Sequence, residues 1–269
     1  RCVMLTELDF ETYTDFYTWD HMDVHCFMVA KRGKLPRFLR DNMLETYVLK
    51  NELKSKGLNN TQEYTQTKSE CNTYYGLTVQ RVRMDSITYD NKIGWTTKKN
   101  DKDFEKEVDK ALLLPQWGIY ITAHSRRNIL KMIFRLEKAG AHCVYSDTDS
   151  VKLVSDYDEK TDTYTTNRKA AKIIKKYNIQ REKHLRKRGY RSPFVSGLGS
   201  FDCETPNGPV WLKTLGAKRY IIYDGKDIKA TIAGLPKNAI KFHGGDPMET
   251  FDFFSENGMF LDTGDSMKS

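Results

Sequence analysis

Leu5, Leu8, Thr12 and Phe16 recur three to four positions apart, the spacing that places side chains on one face of a helix. Thr6 followed three residues later by Asp9 has the order of a capping box, in which a hydroxyl and a carboxylate satisfy amide groups left unpaired at a helix start. A carboxylate there is also favoured by the helix dipole, so Asp9 needs no metal ion to account for it. "DVHCFMVA" then alternates as a strand does. "LPRFLRDNMLETYVLKNELKSKG" puts Leu39, Met43, Tyr47 and Leu49 roughly on one face of a helix ending near Gly57, and a second helix runs through "YTQTKSECNTYYGL" to close near Gly76. "DSITYDNKIGW" reads as a hairpin turning at Asp90-Asn91, followed by the charged run "TTKKNDKDFEKEVDK".

In the second half, "WGIYIT" is strand-like. "AHSRRNILKMIFRLEKAG" carries Ile129, Met132, Ile133 and Leu136 at i, i+3, i+4 and i+7, with Gly140 as the stop. "AHCVYSDTDSVKLV" is two short β-prone arms around a polar turn. A dense basic run spans Arg168 to Arg191, and the rest of the chain alternates short strands with Gly/Pro turns. No internal repeat or low-complexity tract is visible.

Composition changes this picture in three ways. The 269 residues carry 44 Lys and Arg against 36 Asp and Glu, a formal charge of +8, which suits a polyanion partner without requiring one. Cys2, Cys26, Cys71, Cys143 and Cys203 are odd in number, scattered and without a CxxC pair, against both a disulfide framework and a zinc site, and in keeping with a reducing cytoplasm. No apolar run approaches the ~18 to 20 residues that span a bilayer.

Two stretches carry candidate chemistry. In "YSDTDS", Asp147 and Asp149 sit one residue apart on a tight turn between strands, where two carboxylates project together and suit a two-metal phosphoryl-transfer site. Turn capping by Asp, Ser and Thr is the plainer alternative. A calcium loop is excluded, because Val151 and Lys152 stand where further oxygen ligands and the glycine belong. The other stretch, Asp9-Phe10-Glu11-Thr12, has the form of the opening DxE motif of proofreading 3′→5′ exonucleases.

Four fragments in order carry a resemblance. "YSDTDS" resembles the YxDTDS motif of family B DNA polymerases. Upstream, "KSECNTYYG" is similar to the Kx3NSxYG motif, with Lys68, Asn72, Tyr75 and Gly76 matching and Thr73 in place of Ser. Between them "TAHSR" resembles the Tx2GR element through Thr122 and Arg126, with Ser125 in place of the small residue. Downstream "KRY", Lys218 to Tyr220, is similar to KxY and is preceded by "LGSFDCE" where the family has an LGxW…E segment. The resemblance covers nearly the whole chain and is nearest to the protein-primed branch of phages with terminal proteins. The family's other essential carboxylate, in a DxxSLYP motif, has no match in the chain. An exonuclease domain would need well over a hundred residues between its DxE and the Asn72 motif, whereas about sixty are present. Its second motif is absent, and its third is matched only by Tyr145 to Asp149. The Asp9 segment therefore reads as a helix.

The resemblance implies an α+β fold of right-hand polymerase architecture: a palm segment over 1–35, fingers over 36–76, an insertion over 77–113 corresponding to the strand-displacement or terminal-protein region, the palm with its DTD hairpin over 114–232, and a partial thumb over 233–269. The exonuclease domain and first palm motif would precede the chain. Asp147 and Asp149 are then the catalytic, metal-holding carboxylates for two Mg²⁺ ions, with Mn²⁺ as an alternative. Lys68, Asn72, Tyr75 and, as a second lysine, Lys50 would meet the incoming dNTP. Thr122, Arg126, Lys218 and Tyr220 would hold primer-template DNA, with a terminal protein as a further partner and the host cytoplasm as the site of action. Arg126 and Arg127 fall in the first turn of their expected helix, where a cation is disfavoured unless an anion joins it. Lys218 and Tyr220, on alternate strand residues, would share a face. Lys50 and Lys68 also read as solvated surface lysines, and the basic run of 168–191 as a solvated helix face or an extra nucleic-acid contact. A non-catalytic nucleic-acid-binding module and one half of a split polymerase are the other readings of the chain.

Overall fold

The computed structural model describes residues 3–29, 31, 33–80, 85–90, 92–98, 104–111, 114–195, 197–205, 208, 210–233 and 246–255. Helices alternate with small sheets, all antiparallel among these residues, in keeping with an α+β fold. The chain divides into two units, Arg1–Phe134 with Tyr177–Ser200 and Arg135–Lys176 with Phe201–Ser269, so that the segment 114–232 contributes to both. No helix among the described residues is long and apolar enough to cross a membrane.

The first unit opens with α1 (Glu7–Tyr13), capped as its sequence predicts: Thr6 Oγ1 accepts from Asp9 N at 3.1 Å, and Thr6 N donates to an Asp9 oxygen at 3.2 Å. Leu8 and Thr12 are buried. Of the expected strand over residues 23–30, residues 23–29 have no regular structure and Ala30 lies outside the described residues; Val24, Phe27, Met28 and Val29 are exposed. Alternation alone does not make a strand where no neighbouring chain accepts its hydrogen bonds, and none pairs with this segment among the described residues.

Helices α2 (Arg37–Ser55) and α3 (Gln62–Gly76) pack as a hairpin, the second capped by Thr61. Leu53 is buried in α2, whereas Leu49, expected on the inner face, is 40% exposed, and the inward stripe runs through Met43, Tyr47 and Leu53. A 3-10 turn over Leu77–Val79 follows α3. Strands β1 (Ser86–Asp90) and β2 (Gly94–Lys98) form the expected hairpin, its turn held by Asp90 Oδ1, which accepts from Lys92 N and Ile93 N at 2.7 and 3.1 Å. Asn91 lies outside the described residues. A short helix, α4 (Phe104–Lys110), sits in the charged run.

The largest departure from expectation is α5. "WGIYIT" belongs to a single helix over Pro115–Lys138. Pro115 at the first position suits a helix start, and Gly118, Ala123, Ile129, Met132 and Leu136 form its buried face. Tertiary packing here overrides the local β-propensity of Ile119, Tyr120 and Ile121. Gly118 lies against the 3-10 turn: a Cβ there would stand 2.1 Å from Val79 Cγ1 and 2.8 Å from Thr78 Oγ1, and Leu114 N donates to Thr78 O. Gly118→Ala is therefore expected to destabilise by about 2 kcal/mol, because so close an approach places overpacking at the upper end of about 1–3 kcal/mol and helix propensity returns only about 1 kcal/mol. An unchanged or raised midpoint in thermal unfolding would show the contact to be looser than it looks.

The second unit is built on hairpins. Strands β3 (Cys143–Asp147) and β4 (Ser150–Leu153) pair around Thr148-Asp149, and β5 (Asp156–Asp158) pairs with β6 (Thr163–Thr165). Helix α6 (Arg168–Lys187) carries most of the basic run, its start belonging to this unit and its part from Tyr177 on to the first. Strands β7 (Trp211–Thr214), β8 (Arg219–Tyr223) and β9 (Ile228–Ile232) form a three-stranded sheet, one face of which is closed by α7 (Pro247–Phe253). Ile221, Phe251 and Phe254 are its buried centre, packed by Leu215, Tyr223, Ile228, Ala230 and Ile232. Lys213 Nζ donates to Phe251 O at 2.9 Å, satisfying a carbonyl at the helix end. Of the segment 233–269, residues 234–245 and 256–269 lie outside the described residues.

Candidate active site

The β3–β4 hairpin presents two carboxylates from a turn with little freedom. Thr148 takes a left-handed conformation, φ 52°, Asp149 N donates to Asp147 O at 2.6 Å, and Ser150 Oγ donates to the same carbonyl at 3.3 Å. A register shift between Cys143 and Tyr145 marks an irregularity in the arm that carries Asp147. Thr148 Oγ1 donates to Asp147 Oδ1 at 2.9 Å. Asp149 is exposed, and its carboxylate makes no hydrogen bond or ion pair among the described residues.

Onto this turn come the residues of the KRY segment, though by a different route from the one expected. Lys218 is not a strand residue. It closes the β7–β8 turn in the left-handed region at φ 55°, and β8 begins at Arg219. The turn forces this: Leu215 N bonds Arg219 O at 2.8 Å and Arg219 N bonds Gly216 O at 3.2 Å, which leaves Lys218 to complete the reversal. From there its backbone N donates to Tyr145 Oη at 2.9 Å and its Nζ to Asp147 Oδ1 at 2.7 Å, while the Tyr220 ring lies 5.1 Å from that of Tyr145. A non-glycine residue in this conformation is sustained only by contacts around it, and two of those here are to β3. The Lys218 hydrogen bond, outweighing a small opposing effect of burial and helped by Thr148, holds the Asp147 carboxyl below its ordinary value. The same contact raises Lys218. Beside them Lys152 of β4 pairs with Glu204 of "LGSFDCE".

Burial, with Glu137 close by, pushes the thiol of Cys143, in the first arm of the hairpin, up to about 12, so at neutral pH it is a protonated side chain and a poor nucleophile. Among the described residues no cluster of three or more His, Cys, Asp or Glu side chains is positioned to hold a metal ion. Two carboxylates with hard oxygen donors do fit Mg²⁺, which is ordinarily held by one or two such groups and completes its coordination with water and phosphate oxygens.

The remaining candidates belong to the first unit. On α3, Lys68, Asn72 and Tyr75 are exposed on one face, while Thr67, Cys71 and Tyr74 turn inward and Tyr74 Oη meets Thr46 Oγ1 at 3.4 Å. Lys68 has no hydrogen-bond or ion-pair partner among the described residues. Lys50 is placed differently: half-buried, with Nζ 4.5 Å from the centre of the Tyr47 ring and in electrostatic reach of Cys71. It does not share the face of Lys68. Thr122 spends its hydroxyl on its own helix, donating to Ile119 O at 2.8 Å and Gly118 O at 3.2 Å.

Arg126 is not in a first turn. Because α5 begins at Pro115, it lies mid-helix, where the dipole neither favours nor opposes a cation. Its anion is internal. Arg126 Nε and Nη2 each donate at 2.9 Å to Asp9, whose side chain is 4% exposed, and Arg127 pairs with Glu11 at 3.4 Å. Burial of Asp9 opposes its ionisation, but the Arg126 fork and Thr6 overcome this and hold the carboxyl below its ordinary value. Arg126 is raised by the same fork, and Tyr13 and Tyr75 lie within its electrostatic reach. The Asp-x-Glu that raises the question of a nuclease thus anchors two arginines. Tyr145, Lys152 and Glu204 join the hairpin, and Asp9 holds Arg126, although sequence reasoning assigns none of them these contacts. Tyr145 lies in the YSDTDS motif, Glu204 in "LGSFDCE" and Asp9 in the capping box, whereas Lys152 carries no local signal.

In comparisons with known proteins, no family model matches the chain, and no curated protein or solved structure is found to be similar to it.

Proposed function

We propose that the chain carries the nucleotidyl-transfer segment of a template-directed DNA polymerase of the family B type, protein-primed and serving phage genome replication, within a right-hand architecture. The observation that supports this reading most is the meeting of Lys218 and Tyr220 with Asp147 and Tyr145. Two motifs some seventy residues apart, which the resemblance assigns to one catalytic centre, touch through two hydrogen bonds and a ring contact.

In this reading Asp147 and Asp149 hold Mg²⁺, or Mn²⁺. When bound, the ions activate the attacking oxygen and stabilise the leaving group. The primer 3′-hydroxyl attacks the α-phosphate of a dNTP and pyrophosphate leaves. Lys218, anchored by its backbone to Tyr145, exchanges Asp147 for the primer-terminal phosphate, and Tyr220 supports the same strand. On α3, Lys68 receives the triphosphate as a compact point charge, while Asn72 and Tyr75 present an exposed face to the nascent base pair.

The test is primer extension with Mg²⁺ and four dNTPs. The 269-residue chain is expected to bind primer-template DNA and extend it barely, because it brings two carboxylates and no DxxSLYP carboxylate. The same chain joined to an upstream segment with that motif extends. No extension by the longer protein with DNA binding intact would leave the non-catalytic binding module as the better reading.

A further inference from the structure

Helix α6 carries its charge on one side. Ala170, Ile173, Ile174, Tyr177, Arg181 and Leu185 are buried or half-buried, and Arg181 Nε donates to Leu198 O at 3.1 Å. The opposite face exposes Arg168, Lys172, Lys175, Lys176, Lys183 and Lys187, at spacings of three, four, seven and eight residues that keep them in one stripe. None of these six side chains has a hydrogen-bond or ion-pair partner among the described residues. The helix has a single carboxylate, Glu182, and it is taken by Arg186 at 2.6 Å.

This is not how a merely solvated helix is built. Such a helix intersperses acids at i+4 so that opposite charges pair, whereas here like charges stand one turn apart at 168/172, 172/176 and 183/187 and repel. The first turn has no acidic residue although the dipole there favours one. Both costs vanish when a row of anions lies along the stripe. From Lys172 to Lys187 the stripe runs roughly 22 Å at about 1.5 Å per residue, a length over which a DNA duplex presents on the order of a dozen phosphates. Single-stranded nucleic acid is gripped through aromatic rings on which bases stack. Tyr177, the single Phe, Tyr or Trp of α6, is half-buried, the one exposed ring is the imidazole of His184, and the one exposed large apolar residue is Ile179.

We infer that the outward face of α6 is a binding surface for the phosphate backbone of duplex DNA, reading no sequence and needing neither the metal carboxylates nor a primer terminus. It supplies affinity and position rather than chemistry.

The experiment uses the 269-residue chain, an internally fluorescein-labelled duplex covalently closed by a hairpin loop at each end, and EDTA in place of Mg²⁺, with binding read by anisotropy across a salt titration. The first variant is Lys172→Gln, Lys175→Gln, Lys176→Gln and Lys183→Gln together. The control is Lys54→Gln, Lys92→Gln, Lys226→Gln and Lys229→Gln, equally exposed lysines with the same loss of charge. Circular dichroism checks that both fold. The expected result is that the first variant binds at least about tenfold more weakly at about 100 mM salt and loses about 3 from the slope of log K against log salt, close to 0.9 per phosphate contact, while the control loses less than about 1. Equal losses in the two variants would reduce the effect to net charge, and a slope within about 1 of the parent chain would remove the stripe from the interface; either overturns the inference. So would tighter binding of a single strand than of the duplex through the same lysines, or binding of phosphatidylserine-containing vesicles through them in place of DNA. Because no 3′ end, metal ion or nucleotide takes part, failure of the polymerase reading leaves this result standing, and the reverse.

Discussion

On the proposed polymerase reading, Asp149→Asn, in the chain joined to a segment that supplies a DxxSLYP carboxylate, is expected to lower primer extension by about a thousandfold or more and to leave the folding free energy within about 0.5 kcal/mol of the parent. The two halves of this expectation come from the same observation. The Asp149 carboxylate is exposed and unpartnered among the described residues, and what fixes the residue in its turn is its backbone N–H on Asp147 O, which Asn keeps. Substitutions at such positions move stability by about half a kcal/mol at most. Catalysis is different, since a ligand charge that stabilises a phosphoryl-transfer transition state is worth several kcal/mol, and each ~1.36 kcal/mol is about tenfold in rate. Asp147→Asn cannot make the same separation, because it also weakens the acceptor of Lys218 Nζ and Thr148 Oγ1. Single-turnover extension, duplex binding and thermal unfolding on the same preparations test the prediction. Retention of more than about a tenth of the parent rate would take Asp149 out of the metal site, and with it the two-metal reading.

The hairpin that carries these carboxylates was legible because its determinants are local: two β-prone arms, and a turn in which Ser150 bonds the Asp147 carbonyl and Thr148 the Asp147 carboxylate. The same holds for the Thr6–Asp9 capping box and for the Ile129, Met132 and Leu136 face of α5, each set within a few residues. Failures fall where a neighbour distant in sequence decides. "WGIYIT" has the composition of a strand, and what makes it helical is the seat of Gly118 on Thr78 and Val79, about forty residues upstream. Misplacing the start of α5 displaced Arg126 with it, from a position where an external anion is wanted to one where Asp9 already serves.

Lys218 shows the opposite case, a functional grouping reached from an incorrect local structure. Alternation in "KRY" suggested two side chains on one strand face. Only Tyr220 is on the strand. Lys218 reaches the same hairpin from a left-handed turn residue, its ammonium on Asp147 while the tyrosine ring lies on Tyr145. The motif constrains where the two groups arrive, and sequence spacing is a poor guide to how the backbone takes them there. The strand expected over residues 23–30 fails, in its described part, for a third reason: its alternation is real, but a strand needs an adjacent one, and the sequence does not state whether one is supplied.

Asp9→Asn tests the other anchored cation and is expected to cost about 2–3 kcal/mol of stability at pH 7. Removing one partner of a buried ion pair costs about 3–5 kcal/mol; the lower figure applies because the Arg126 side chain is 44% exposed and water can solvate it. Asn is close to isosteric and its carbonyl can accept from one arm of the fork, but its amide then faces the other arm, donor against donor. The sign of the pH dependence comes from the Asp9 carboxyl titrating below its ordinary value of 3.8 in the folded chain. The unfolded chain binds the proton more readily, so the stabilisation is complete above the unfolded value and is lost as pH falls through the folded one. Urea unfolding of parent and variant at about pH 7, 5 and 3 should show a full gap at the first two and a narrowing gap at the third. A gap of the same size at the lowest pH would assign the loss to packing and not to charge. Because Tyr75 lies within electrostatic reach of Arg126, the freed guanidinium is expected, if the α3 face takes the dNTP as proposed, to change binding there: weaker retention of a dNTP by the variant at neutral pH, with stability restored by a stabilising osmolyte, would tie the Asp9 anchor to that proposed nucleotide face rather than to folding alone.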